Sequence, residues 1–382
     1  MTVQQSSEQQ HVLCSIGMIR HSARLDEVFG CTWSDQKLRP YDTPISDYDL
    51  PTRSASKLVS YDFQAVISSP FRRCLQTAAV IANRFGLKVL FVDNRLGEIM
   101  HQVKSAIKKQ LVLESTTLGG VDSMEDVTVA TSSRWQYMTL EEAERIAEDS
   151  GLLLRWESNV NKPCLEESIQ SFISRCNMAP EIITDAHSKY DINKLMEELE
   201  ELESSIVSLK GELAKARETV ARASEQLLAT FCNTLGLGPS AASDKMYEIA
   251  NEAEQTDLGY AEEDRDGGEG MHSQLPVEVA YMDALATVSP LQRSLDNHKR
   301  KQDLLRNIVA NISEELSISS DHPDELNTCW TSALLVTHAD LLNQRLQRLE
   351  PNALYAPRCC GWFVEDPRTN VVVGMDDMDR IM

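Results

Sequence analysis

An imidazole flanked by two guanidinium groups stands where an apolar run stops: Val12 to Ile19 leads straight into Arg20-His21-Ser22-Ala23-Arg24. A neutral imidazole can attack phosphorus and carry the phosphoryl group covalently. Arginines supply forked, permanently charged donors that match phosphate oxygens and offset the charge developing in transfer. These are the residue types of a phosphate site. One His beside an Arg at a strand end is more often an ordinary surface pair, so the rest of the chain has to decide.

Three later stretches repeat the arrangement. The short apolar run Ala65 to Ser68 turns through Ser69-Pro70 into a helix predicted from Phe71 to Phe85 and closed by Gly86, with Arg73 in its first turn. Leu87 to Val92 reads as a further strand, followed by Asp93-Asn94-Arg95-Leu96-Gly97-Glu98. A carboxylate there could protonate a leaving oxygen and later activate water. Ala333 to Val336 is again an apolar strand, and Thr337-His338-Ala339-Asp340 brings a second imidazole before a helix from Leu341 to Leu349.

Strand, helix and strand at this spacing predict βαβ units, and hence a parallel sheet with right-handed crossovers. Such sheets bind ligands outside the carboxyl ends of their strands, where helix N-termini favour anions. From Asp26 to Ser60, with Pro40, Pro44 and Pro51, the sequence predicts a long loop over the strand end. The tail, Gly361 to Asp366 and Asn370 to Gly374, predicts a closing hairpin.

Taken in order, Arg20-His21, Ser68-Ser69-Pro70-x-x-Arg73 with Gln76-Thr77-Ala78, Glu98 and His338 resemble the histidine phosphatase superfamily, the phosphoglycerate mutase-like fold. Arg20 to Asp26 with Phe29-Gly30 is most similar to the phosphatase domain of the ubiquitin-associated and SH3-domain-containing phosphatases. Glu167-Ser168 and the amphipathic helix through Cys176 also look like that family's helix before its last core strand.

The resemblance implies a three-layer α/β/α domain with a mostly parallel sheet. His21 would be the nucleophile that forms a phosphohistidine, and Glu98 the general acid and base. Arg20, Arg24, Arg73 and His338 would hold the phosphate of a small molecule or a phosphoprotein, with no metal or organic cofactor. In two places the chain departs from the family pattern: Ser22 and Ala339 stand where Gly is common after the two histidines. Ser22 keeps open a second expectation, a catalytically impaired pseudo-phosphatase working as an interaction scaffold. A phosphoglycerate-type mutase is a third, which the residues around Arg24 disfavour.

Composition narrows the partners. A net charge of -22 over 382 residues argues against nucleic acid or an anionic membrane surface, so the phosphate site must be a local basic pocket. No apolar run is long enough to span a bilayer, and Met1 to Gln10 has no basic stretch leading into an apolar one, which predicts a cytoplasmic protein. Nine scattered cysteines without a CxxC fit free thiols, and the vicinal Cys359-Cys360 reads as two strand residues.

The phosphatase-like sequence covers 1–187 and 326–382; an insertion, 188–325, separates the two parts. Ile192, Leu195, Leu199, Leu202, Ile206, Leu209, Leu213, Ala216, Val220, Ala223 and Leu227 alternate spacings of three and four, the period of a coiled-coil seam. A second arm is predicted to start after Pro290, through Leu291, Leu295, His298, Gln302, Leu305, Val309, Ile312 and Leu316. His298 and Gln302 are its polar seam positions. An antiparallel hairpin is expected, with 192–227 and 291–316 also offering a surface for a protein partner or self-association. Between the arms, the acidic stretch 251–270 reads as a disordered linker, with short helices at Ala241 to Ala253 and Val277 to Val288. Ser115 to Gln136 is a second irregular stretch, and the resemblance implies that it covers the pocket, with Trp135 and Tyr137 as the aromatics that could line it.

Overall fold

The computed structural model describes residues 13, 15–26, 42–100, 103–105, 138–157, 167–188, 192–257, 276–318, 330–352 and 354–381. Phe29-Gly30, the stretch Ser115 to Gln136 with Trp135 and Tyr137, and the acidic residues from 258 onward lie outside them. The chain forms two compact units, Met1–Ile192 with Asn311–Met382, and Asn193–Ala310.

The first unit is built on seven strands: β1 (Ser15–Arg20), β2 (Ala65–Ser68), β3 (Val89–Val92), β4 (Leu153–Trp156), β5 (Ser332–Thr337), β6 (Leu354–Asp366) and β7 (Val371–Ile381). Their order in the sheet is β4-β3-β2-β5-β1-β6-β7. The five from β4 to β1 run parallel, and β6 and β7 add an antiparallel edge. Strands buried on both faces read as continuous apolar runs, and Ala65–Ser68 and Ser332–Thr337 are buried at every position.

Successive residues of a strand face opposite ways. Ile19, Val66, Leu90, Leu334 and Val336 therefore share one core with α1 (Asp49–Leu58), α2 (Arg72–Arg84) and α3 (Leu140–Asp149). α4 (Ile169–Cys176), α5 (Ala179–Ser188) and α9 (Ala339–Leu349) complete the unit, with α9 against β1, β6 and α4. The fold is α/β with a mostly parallel sheet.

Three sequence expectations change here. Helix α1 interrupts the loop expected from Asp26 to Ser60. Pro51 is its third residue, and proline in a first turn removes a donor that has no intrahelical partner anyway. Pro51, Ser54, Ala55 and Leu58 are its buried face. β4 pairs with β3 from Val89↔Leu153 to Val92↔Trp156, a strand the sequence pattern does not announce. The tail hairpin is longer than expected, with Cys359 and Cys360 inside β6.

In the second unit, α6 (Ile192–Thr234) and α8 (Pro276–Ile318) are 43 residues each, with α7 (Pro239–Asp257) between them in sequence. α6 is about 65 Å long at 1.5 Å per residue. Every position of the first seam from Leu195 to Leu227 is buried or half-buried. Ile206 and Leu213 pack on Leu295, while Leu227 and Phe231 pack on Tyr281, so the two long helices run antiparallel.

α8 begins at Pro276 rather than after Pro290, which lies inside it. An interior proline removes one backbone bond and crowds the preceding turn. Burial of Tyr281 and Ala284 before Pro290 and of Leu295, Leu305 and Ile308 after it holds the helix continuous. His298 is half-buried, and its Nδ1 lies 2.8 Å from the Ser294 carbonyl of its own helix. Asn251 to Asp257, placed by the sequence in the acidic linker, form the end of α7. Among the described residues no helix is long and apolar enough to cross a membrane.

Candidate active site

β5 inserts between β1 and β2, so the carboxyl ends of all three strands lie side by side. Each delivers one part of the site. His21 directly follows β1, and its backbone is fixed on both sides: its N–H donates to the Thr337 carbonyl (3.0 Å), and its carbonyl accepts from the Cys360 N–H (3.2 Å). The side-chain Nδ1 lies 2.7 Å from the Ser22 carbonyl. A carbonyl only accepts, so Nδ1 carries the proton and Nε2 the lone pair. Nε2 makes no hydrogen bond to a described residue.

His338 directly follows β5, and its ring meets that of His21 edge to face with centroids 5.4 Å apart. Burial first, and then the positive charge of Arg73, hold both imidazoles well below the ordinary histidine value of 6.5. Both are therefore neutral at pH 7. The Nε2 of His338 lies 2.9 Å from Ser69 Oγ, on the turn that follows β2. Cys74 Sγ is 3.5 Å from the same nitrogen. Burial pushes the Cys74 thiol up to about 12, leaving it a neutral packing group.

Arg73, in the first turn of α2, is fully buried. Its Nη2 donates to Glu98 Oε2 at 2.5 Å and lies 3.3 Å from His338 Nδ1, and its Nη1 is 3.9 Å from Asp42 Oδ1. Asp42 also accepts the Arg72 N–H at 2.7 Å and so caps α2. Glu98 Oε2 in turn lies 3.3 Å from His338 Nδ1. The Arg20 guanidinium donates from Nη1 to the Pro357 carbonyl (2.9 Å), while its buried Nε has no partner among the described residues. A buried donor without a partner is costly, and an anion beside it would remove that cost.

Arg20, His21, Arg73, Glu98 and His338 thus converge at adjacent strand ends. Arg24 is placed differently from the rest: its guanidinium is held by the Asp26 carboxylate through both Nε (3.0 Å) and Nη2, and Thr43 Oγ1 donates to the same carboxylate at 2.7 Å. Its charge still reaches His21, as the weakest of the three arginines that lower that imidazole. Ser22 is fully buried, with its N–H on Thr77 Oγ1 (3.0 Å) and its Oγ donating to the Asp47 carbonyl (2.8 Å). Its φ is not among the positive values of the chain, so the turn does not require glycine.

Two neighbours of these residues escape the sequence reading. Asp42 sits in a stretch without periodicity. Arg175 lies on α4, and its only signal is a charged residue on a helix face shared with Phe172 and Cys176. It holds the loop that carries Glu98.

Histidines, arginines and a carboxylate are thus gathered at the strand ends of an α/β protein. Residues 52–113 match the model of the histidine phosphatase superfamily (branch 1), and the matched stretch holds Arg73 and Glu98. No curated protein matches the chain significantly. Among solved structures, a mycobacterial hydrolase is similar at 28% identity over 22% of this chain, which spans 39% of that chain, with a TM-score of 0.19. An ecdysone phosphate phosphatase from Bombix mori is similar at 15% identity, covering 46% of this chain and 69% of that one, with a TM-score of 0.27. For a mycobacterial glucosyl-3-phosphoglycerate phosphatase the figures are 18%, 35%, 85% and 0.19.

Proposed function

We propose that this protein is a phosphomonoester hydrolase working through a phosphohistidine on His21. The observation that carries the reading is the tautomer. With Nδ1–H on the Ser22 carbonyl, the Nε2 lone pair of a neutral imidazole is available to attack phosphorus. As the new N–P bond forms, the P–O bond to the leaving group breaks. Glu98, a carboxylate paired with Arg73 in the free site, relays to the departing oxygen a proton that enters with the phosphate ester monoanion. The positive charge left on the phosphorylated imidazole rests on the Nδ1–H bond to Ser22. In the second step Glu98 takes a proton from water, the water oxygen bonds to phosphorus and the N–P bond breaks. Inorganic phosphate takes up that proton and leaves, and Glu98 returns to its pair with Arg73.

Arg73 bridges the acid–base carboxylate and His338, so it can offset charge on the equatorial phosphate oxygens, while the free Nε of Arg20 supplies a further donor. The likeness of Arg20 to Gly30 to ubiquitin-associated and SH3-domain-containing phosphatases supports a phosphatase over a mutase. Ser22 turns its hydroxyl to the Asp47 carbonyl, which supports a working nucleophile rather than a disabled one.

The test is phosphate release from an aryl phosphate by the wild-type protein and by His21→Ala, with acid-labile phosphoprotein trapped by rapid base quench. Turnover and a trapped phosphohistidine are expected from the wild type alone. Equal inactivity of both proteins across a panel of phosphomonoesters would overturn the reading.

A further inference from the structure

Glu98 sits on a segment with little regular structure: β3 ends at Val92, a single turn of 3-10 helix follows over Asn94–Leu96, and Gly97 precedes the carboxylate. Such a segment would let the side chain wander by more than catalysis tolerates. One guanidinium stops it. Arg175 donates from Nη1 to the carbonyls of Arg95 (2.9 Å) and Gly97, and from Nη2 to that of Glu98 (2.7 Å). Its Nε and Nη2 also meet the two oxygens of Glu167 at 2.6 and 2.7 Å. A guanidinium has five N–H donors in a fixed plane, and these five bonds engage every one.

The surroundings keep that plane in place. Arg175 is buried, lies over the Phe172 ring at 4.8 Å, and is anchored through Glu167, which precedes the Ser168 cap of α4. Thr337 Oγ1, one residue before His338, donates to the Leu96 carbonyl at 2.8 Å and ties the same loop to β5.

We infer that Arg175 is a positioning residue that fixes Glu98 for proton transfer to the leaving oxygen. This rests on the phosphohistidine reading given above. The ammonium of a lysine is a point charge with no planar fork and cannot reproduce three carbonyl contacts and a bidentate carboxylate. The five bonds act on the acid–base loop, for none goes to His21, Arg20, Arg73 or His338; the charge of Arg175 is only a lesser influence on His338, after burial, Arg73 and His21.

The experiment compares an ester whose leaving group needs no proton, 4-nitrophenyl phosphate, with one that does, an alkyl phosphate. It uses the full chain as wild type, Arg175→Lys, Arg175→Met, Glu98→Gln, Glu98→Gln/Arg175→Met and Glu167→Gln. Misplacing a catalytic group by about an ångström costs on the order of 100-fold. Arg175→Met and Arg175→Lys should lose kcat/KM on the alkyl ester to that extent and much less on the nitrophenyl ester. The ratio kcat/KM reads the steps up to release of the alcohol and leaves out hydrolysis of the phosphohistidine, which both esters share and in which Glu98 acts as base. Arg175→Met should add nothing in the Glu98→Gln background. Glu167→Gln, which loosens the same guanidinium without removing it, should show a smaller shift of the same sign and guards against misfolding of the Arg175 variants.

Equal losses of kcat/KM on both esters, losses that multiply with Glu98→Gln, or no change in Glu167→Gln would overturn the inference while leaving the hydrolase intact. A wild type that cleaves neither ester would instead overturn the phosphohistidine reading, and the inference with it.

Discussion

Replacing Arg73 by Met tests how far the site depends on one buried cation. In the native protein its Nη2 meets Glu98 Oε2 at 2.5 Å, its Nη1 lies 3.9 Å from Asp42 Oδ1, and the side chain is fully buried. Methionine fills much of the same volume and deprives both carboxylates of this guanidinium. Breaking a buried pair from one side costs about 3–5 kcal/mol. At about 2–4 °C per kcal/mol for a large domain, that is a fall in melting temperature of roughly 6–20 °C. A second consequence separates electrostatics from packing. After burial, Arg73 is the largest influence lowering His21 and His338, so both imidazoles should titrate closer to 6.5 in the variant. Thermal melting and an NMR titration of the histidine ring protons read the two effects. Arg73→Lys, which keeps charge without the fork, should fall between. A melting temperature within about 2 °C of wild type, with unmoved histidine titrations, would refute the account of the site as an ion-paired cluster.

Other outcomes follow from the same geometry. His21 and His338 are lowered in the folded state, so the unfolded chain binds protons near 6.5 that the folded chain refuses. Stability should therefore be full above that pH and fall as pH drops below it, by up to about 1.4 kcal/mol per pH unit for each histidine. Urea unfolding at several pH values checks this, and His338→Asn should flatten the slope. Ser22→Gly removes the hydroxyl bond to the Asp47 carbonyl at a cost of about 1 kcal/mol, and kcat should change by no more than a few-fold; activity appearing from nothing would mean that Ser22 disables the native site. In α8, Pro290→Ala restores a missing donor and should raise stability by up to about 3 kcal/mol, seen as a later loss of helical ellipticity.

Much of the candidate site is legible in the chain because each piece is local. A buried strand followed at once by Arg20-His21, by Ser69-Pro70 and a helix, by Glu98 or by His338 announces itself through hydrophobic runs and what interrupts them. The first seam is legible too, since a 3.5 period from Leu195 to Leu227 has to face a partner. Proline misleads at two sites for one reason: its local preference is weak against burial. Pro51 is tolerated in the first turn of α1, and Pro290 is carried inside α8 by apolar packing on both sides. β4 is short and only half-buried beyond Leu153, so it lacks the apolar run that marks β2 and β5.

The sequence alone determines the residue types of the candidate site, their order and the strands that carry them. The tertiary structure decides their mutual geometry. Insertion of β5 between β1 and β2 joins His21 to His338 across more than 300 residues, a pairing that no local pattern encodes. It also commits Arg24 to Asp26, turns the Ser22 hydroxyl to Asp47, and brings Arg175 under the Glu98 loop. Those choices belong to hydrogen bonds between distant segments: burial makes an unmet donor or acceptor costly, and only the assembled fold shows which partner is within reach.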